Sequence, residues 1–391
     1  MKKRQGTTSR LFRDCWVGGR RADLLVEDGV IAAIGAMEGP AELEGGTICP
    51  PLAEPHVHLD AALLARDAPN HSGTLEEGIA NWARLRDGLG KEDVKRRARE
   101  TIGWYRRFGC RRIRTHADTG CLDNVEALVE LREEVAKEGT TLQIVAFPQE
   151  GILTGQRREE QWREAVELGC DAIGAIPHFE PSRPEGDRSL RLAIELAAEH
   201  GLALDVHCDE RDSGEFRHLA TLCALAREHP GVHVVAGHCT AMHCWPDELA
   251  AEVIEAVVSS GVLVVTNPLD NIVLQGRGGY PRIRGHTRVD ELWAAGASVG
   301  IGHDSVMDPW YGLGTANLLD AAYVLVHYAH LSSREQMVRA FGALSHENHA
   351  PFGSVPRLEV GAPAEFLFFP ARDPLEVLRL RPLPVIIGPG A

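Results

Sequence analysis

Thr47-Ile48-Cys49-Pro50-Pro51-Leu52-Ala53-Glu54-Pro55-His56-Val57-His58-Leu59-Asp60 is the stretch on which the reading of this chain turns. Thr47-Ile48-Cys49 reads as a short strand entering a buried core, and His56 and His58 follow it. Residues i and i+2 on an extended chain project to one face, so the two imidazoles can chelate one metal ion side by side. A His-x-His alone is common. Its weight comes from what the other strands end on.

Working outward, short β-branched runs alternate with helical patterns along the chain. The expected strands are 47–49, 112–115, 142–147, 172–176, 203–207, 233–237, 262–266 and 298–302. Between them lie expected helices at 91–108, 124–138, 157–168, 189–200, 216–229, 247–260 and 289–295, many closed by glycine. Two further helices, 317–330 and 333–342, would pack outside. Eight strands alternating with helices predict an α/β fold, a (β/α)8 barrel. The flanks read differently. Val17-Gly18-Gly19, Asp28-Gly29 and Phe366-Leu367-Phe368-Phe369 suggest short strands with glycine turns. The expected organisation is a barrel over 47–351 and a small β-sandwich domain built from 1–46 and 352–391.

In such a barrel the active site gathers at the C-terminal strand ends. Those ends are rich in ligand-type residues: His56 and His58, then His116 and Asp118, Gln149 and Glu150, His178 and Glu180, His207 and Glu210, His238, and His303 and Asp304. His116 and Asp118 read as supporting polar groups, His243 and His303 as structural. Cys208 and Cys239 should be turned away from their histidine neighbours by strand alternation.

Composition removes several classes of function. Hydrophobic residues are 44% and charged residues 25% of 391, as in an ordinary globular enzyme. A net charge of −15 opposes a nucleic-acid backbone. Residues 1–4 are basic, but no apolar signal core follows, and no apolar stretch is long enough to span a bilayer. Nine cysteines without a Cys-x-x-Cys give neither a disulfide framework nor a zinc ribbon. A cytoplasmic enzyme, active as a homo-oligomer on a small molecule with no nucleic-acid or membrane partner, is expected.

The longer phrases resemble the amidohydrolase superfamily, and within it bacterial cytosine deaminases. They include His56-Val57-His58-Leu59-Asp60, Phe147-Pro148-Gln149-Glu150-Gly151, Pro177-His178-Phe179-Glu180, Asp205-Val206-His207-Cys208-Asp209-Glu210, Asn267-Pro268-Leu269, Leu274-Gln275-Gly276-Arg277 and Asp308-Pro309-Trp310-Tyr311. The resemblance implies metal ligands His56, His58, His207 and Asp304, Glu210 as proton shuttle, His238 beside the attacking water, Asp304 as acceptor of that water's proton, and Gln149 as the contact for a substrate amide edge. Three neutral imidazoles and a carboxylate suit Zn(II) or Fe(II), with Mn(II) possible. Two-metal relatives use a carbamylated lysine on the fourth strand. The five lysines here are Lys2, Lys3, Lys91, Lys95 and Lys137, none on that strand or later, so one divalent ion is expected. The implied reaction is hydrolytic deamination of an aminopyrimidine in pyrimidine salvage, cytosine or 5-methylcytosine giving uracil or thymine plus ammonia. An isoguanine, aminotriazine or creatinine-like ring stays open. A non-catalytic base sensor would need no Glu210 or His238.

The chain departs from the family wording after the eighth strand. Where cytosine deaminases carry a second acid and then an aromatic residue, this sequence has Ser305 and Met307, with Trp310 retained. Ser305 removes a charge beside an apolar substituent. The expectation is that Ser305, Met307 and Trp310 shape a pocket that accepts 5-methylcytosine at least as well as cytosine. The chain's last residues, 387–391, suggest an abbreviated terminal strand.

Overall fold

The computed structural model describes residues 8–280 and 282–388; the readings placed on residues 1–4 and 389–391 lie outside the described residues. Chain entry is a tight antiparallel meander. β1 (Ser9–Val17) turns into β2 (Arg20–Glu27) through Gly18 and Gly19, and β2 into β3 (Val30–Gly35) through Asp28 and Gly29. All four turn residues hold positive φ, as two-residue hairpins require. β4 (Leu43–Glu44) and β5 (Thr47–Cys49) then lie parallel to β1.

Thr47–Cys49 is therefore not the first barrel strand. It pairs with β1 on one side and with β14 (Phe366–Phe369) on the other. Pro50 and Pro51 break the ladder after Cys49, because proline offers no N–H to a sheet. The barrel begins only with β6 (Leu52–Val57). β15 (Val385–Ile387) completes the terminal sheet, whose order is β15-β14-β5-β1-β2-β3 with β4 beside β1. Strands from both ends do share one small structure, as a single mixed sheet. Phe12, Leu24, Ile31, Phe366 and Phe368 fill its core.

The barrel strands follow in chain order: β7 (Cys110–Asp118), β8 (Thr141–Phe147), β9 (Ala172–Ala175), β10 (Ala203–Cys208), β11 (Val234–His238), β12 (Leu263–Thr266) and β13 (Val299–Ile301). With β6 they make eight parallel strands in sequential order. Helices cover the outside, among them Lys91–Arg107, Leu122–Ala136 and Asp247–Ser260. One starts earlier than its apolar periodicity predicts. Ser182 caps Arg183–His200 through the Glu185 amide, with Pro184 in the first turn. Leu75–Leu85 and Pro268–Leu274 are helices the periodicity did not reveal.

The seam between β13 and β6 closes just beyond the strand ends. Val57 and Asp304 form a parallel bridge, the Asp304 amide donates to the His56 carbonyl at 2.9 Å, and the His58 amide donates to the Asp304 carbonyl at 3.2 Å. Inside the barrel a polar layer lies beneath these residues. The Arg114 guanidinium donates to Asp205 at 2.9 Å, to Gln143 at 2.9 Å and to the Pro351 carbonyl at 2.8 Å. The other Asp205 oxygen faces His116 Nε2 at 3.3 Å. Burial alone would raise the Asp205 pKa, but His116 and Arg114 together hold it below the ordinary carboxylate value.

Candidate active site

Five histidine rings meet here, His116 beside that layer and His56, His58, His207 and His238 around it. His56 packs on His116 at 4.1 Å, on His207 at 4.6 Å and on His238 at 4.9 Å between centroids. Nitrogens of His56, His207 and His238 lie within 4.8 Å of one another, and so do those of His56, His58 and His116. His58 Nε2 faces His207 Nε2 at 3.2 Å. Asp304 Oδ1 stands 3.6 Å from His56 Nε2 and 3.5 Å from His58 Nε2. The four residues expected to bind metal are thus brought together from β6, β10 and the end of β13.

Two positions depend on glycine and on strained backbone. A Cβ at Gly237 would lie 3.0 Å from His56 Cε1 and 3.1 Å from Nδ1, so glycine makes the room in which the ring sits. Gly237 therefore faces the barrel interior, and alternation would point His238 outward. His238 instead has φ 66°, which turns its ring back to the site. Asp304 has φ 69°. Such left-handed backbone in non-glycine residues is uncommon and is held only by surrounding structure.

The donor set fits a divalent ion. Both ring nitrogens of His56 and Nδ1 of His207 are buried without a hydrogen-bond partner. Burial, and then the neighbouring histidines, push His56, His58 and His207 well below the ordinary imidazole value, leaving neutral rings with free lone pairs. Asp304 is pushed well upward by burial and by Asp270 and Glu210. Such a knot of buried acids and neutral imidazoles is one that a bound cation would balance.

Around the donors the cleft encloses about 430 Å³ of empty space, its mouth included. Gln149, Glu210, His238, Ser305 and Trp310 all line it. Burial lifts the Glu210 carboxyl to about 7, against the opposing pulls of Arg211 and of the hydrogen bond from Asn271. Glu210 Oε1 lies 3.0 Å from Asn271 Nδ2 and 3.4 Å from His238 Nδ1. His238 is held down to about 3 by burial, while Asn271 pulls the other way. Trp310 is fixed by Asp308, whose Oδ1 accepts from the Trp310 and Tyr311 amides. Its indole lies 6.0 Å from the His58 ring.

Met307 is not brought into this group. It is absent from the cleft wall, its carbonyl accepts from the Ala65 amide at 2.8 Å, and its side chain packs against the main core. Ser305 is there, but not alone: its hydroxyl donates to Asp270 Oδ2 at 2.7 Å. An acid therefore stands beside the position from which the sequence had removed one.

Several supporting groups escaped the sequence reading. Glu54 accepts from the His56 amide at 2.9 Å and from the His303 amide at 3.2 Å, anchoring both sides of the seam. Asn271 and Asn267 hold His238. Asn267 stood in a phrase already singled out, but Asp270 and Asn271 sit in a seven-residue helix too short for periodicity to mark. Neither His116 nor Asp118 is on the cleft wall. Asp118 accepts from Trp82 and Arg86, each at 2.8 Å. Cys208 faces the main core, as alternation predicts; Cys239 packs there too, but on a positive φ of 54° that breaks the alternation.

A parallel barrel with histidines and an aspartate converging at its C-terminal end defines a metal-dependent hydrolase architecture. The amidohydrolase family profile matches residues 72–379, and the chain belongs to that family. Among solved structures it is similar to 5-methylcytosine deaminase from Klebsiella pneumoniae liganded with phosphonocytosine, with 33% identity, a TM-score of 0.91, and 98% of this chain and 97% of that chain covered. Among curated proteins it is 29% identical to a pterin deaminase of Rhizobium rhizogenes over 91% of this chain and 83% of the relative. It is 23% identical to an N-isopropylammelide isopropyl amidohydrolase of Pseudomonas sp. strain ADP over 87% of this chain and 84% of the relative. The chain is an amidohydrolase-family enzyme, a hydrolase of C–N bonds with deaminases among its relatives.

Proposed function

We propose that this enzyme deaminates a cytosine-type aminopyrimidine, cytosine or 5-methylcytosine, by hydrolysis, in cytoplasmic pyrimidine salvage. The observation that carries the reading is Glu210: a buried carboxyl lifted to about 7, on the cleft wall beside His238 and the histidine cluster. The likeness to 5-methylcytosine deaminase supports the pyrimidine over other rings. His56, His58, His207 and Asp304 would hold one divalent ion. Such an ion acts as a Lewis acid and brings the pKa of water to about 7.

The chain's own groups supply the rest. Glu210, half protonated near neutrality, gives its proton to the ring nitrogen beside the amine-bearing carbon and later serves the departing ammonia. Asn271 holds that carboxyl at one oxygen, leaving the other to face the cleft. His238, kept neutral by burial and pinned by Asn271 and Asn267, donates to the oxygen that develops on the attacked carbon. Gln149 offers both a donor and an acceptor to the ring's amide edge. Trp310 gives the ring an apolar wall.

Ammonia release from cytosine, 5-methylcytosine, isoguanine, creatinine, an aminotriazine, pterin and N-isopropylammelide tests the reading. A kcat/KM for either cytosine at least tenfold above every other ring supports it. Preference for pterin or the ammelide moves the enzyme to those relatives' chemistry, and no turnover with metal bound restores the sensor.

A further inference from the structure

Asp270 has no part in the chemistry above, yet its side chain lines the cleft and is only 3% exposed. One carboxyl oxygen, Oδ2, takes the Ser305 hydroxyl at 2.7 Å. The other, Oδ1, is buried without any hydrogen-bond partner. Buried acceptors in native proteins are nearly always satisfied, so an orphan in a cleft wall marks where a ligand's donor belongs. Ser305 cannot serve it, its single proton being engaged at Oδ2.

The order of residues around the barrel rim says which part of the substrate lies there. Sequential strands are neighbours, so the rim runs from Gln149 after β8, to Glu210 after β10, to His238 at the end of β11, to Asp270 after β12, to Ser305 after β13. A cytosine ring read in the same direction presents its amide edge to Gln149, its N3 to Glu210 and its amine-bearing C4 to His238 and the metal ligands. The next ring atom is C5, and the next residues on the rim are Asp270 and Ser305. A methyl at C5 would cover Oδ1 and bring it no donor.

We infer that Asp270 is a specificity-determining residue whose free oxygen accepts a hydrogen bond from an O–H or N–H carried on C5, so that 5-hydroxymethylcytosine is preferred to 5-methylcytosine. This rests on the aminopyrimidine reading given above. Ser305 is the small partner that holds the carboxyl in place and leaves room for the substituent. Satisfying a buried acceptor that otherwise stays unpaired corresponds to roughly ten- to hundredfold in kcat/KM.

The test is kcat/KM of the full, metal-loaded enzyme for cytosine, 5-methylcytosine, 5-hydroxymethylcytosine and 5-formylcytosine, the last matching hydroxymethyl in size with an acceptor only. The wild type should favour hydroxymethyl over methyl at least tenfold and over formyl by a similar factor. In Asp270→Val the hydroxymethyl-to-methyl ratio should fall to one or below. Asp270→Asn, which keeps an amide oxygen, should retain part of the preference. Because a ratio is taken within one protein preparation, a partly misfolded variant does not disturb it. A wild-type ratio below threefold, a preference for formyl, or a ratio unchanged in Asp270→Val overturns the inference. If cytosine and 5-methylcytosine are turned over while the ratio stays flat, only this inference falls. If no cytosine releases ammonia, the proposed function falls and takes it along.

Discussion

Gly237→Ala tests whether His56 is a metal ligand placed by a gap in the neighbouring strand. The added methyl would sit 3.0 and 3.1 Å from two atoms of the His56 ring. Ordinary carbon contacts begin near 3.5 Å, so the ring or the strand must yield by about 0.4–0.5 Å. The ring has little room to do so, with His116, His207 and His238 all within 4.9 Å of it centroid to centroid. Gly237 does not hold positive φ, so the alanine adds no backbone strain of its own. A displacement of about 0.5 Å is the limit a preorganised constellation tolerates. The expected result is a ten- to hundredfold loss of Zn(II) affinity, the range typical of disturbing the groups that orient a ligand. Competition against a chromogenic chelator measures it, with circular dichroism showing that the barrel is intact. Zinc affinity within twofold of wild type in a folded variant would refute the reasoning.

Three further outcomes follow from the same geometry. Glu210→Gln should lower kcat by at least about 10²-fold while zinc content stays at the wild-type level, since the amide cannot pass a proton; comparable turnover would remove Glu210 from the mechanism. Glu210 acts in its protonated form with a value raised to about 7, so kcat/KM should be full below that pH and fall about tenfold per unit above it; a profile flat between pH 6 and 9 would contradict this. Asp205→Asn leaves the Arg114 charge buried without its counter-ion and should destabilise the fold by about 3–5 kcal/mol in urea unfolding. Because folding holds Asp205 below its unfolded value of about 3.9, that stabilisation is complete above this pH and is lost as pH falls further; an unchanged urea midpoint at pH 7 would show the pair to be inert.

The alternation of strands and helices was legible because each of the seven barrel strands after β6 carries Ile or Val between helical patterns. β6 was not, because Glu54 and Pro55 sit in its middle. Its register against β7 shifts twice, a form that a strand pattern does not anticipate. The eye therefore settles on Thr47–Cys49, a cleaner strand that serves the other sheet. In the site, His56, His58, His207 and Asp304 were readable as strand-end residues with shared chemistry. His238 was readable by type, but its inward aim rests on a positive φ that no spacing encodes. Met307 lies beyond the eighth strand in a bend, with φ 51°, where strand spacing says nothing about direction. Glu54, Asp270 and Asn271 act through backbone amides and neighbouring side chains, contacts that appear only when the chain is folded.

The seam between the first and last barrel strands carries a consequence for how the protein matures. His56 and His58 emerge early in synthesis, whereas Asp304 arrives with the eighth strand, and the bonds that close the barrel are made by these same residues. A ribosome-bound chain that ends before β13 holds three of the four proposed donors and no closed rim. Any ion those residues take would fasten the two edges of the sheet to each other, like a rivet set after the last stave. Metal content would then count finished barrels, and chelation would loosen the molecule first at the one joint that the backbone alone closes only outside its strands.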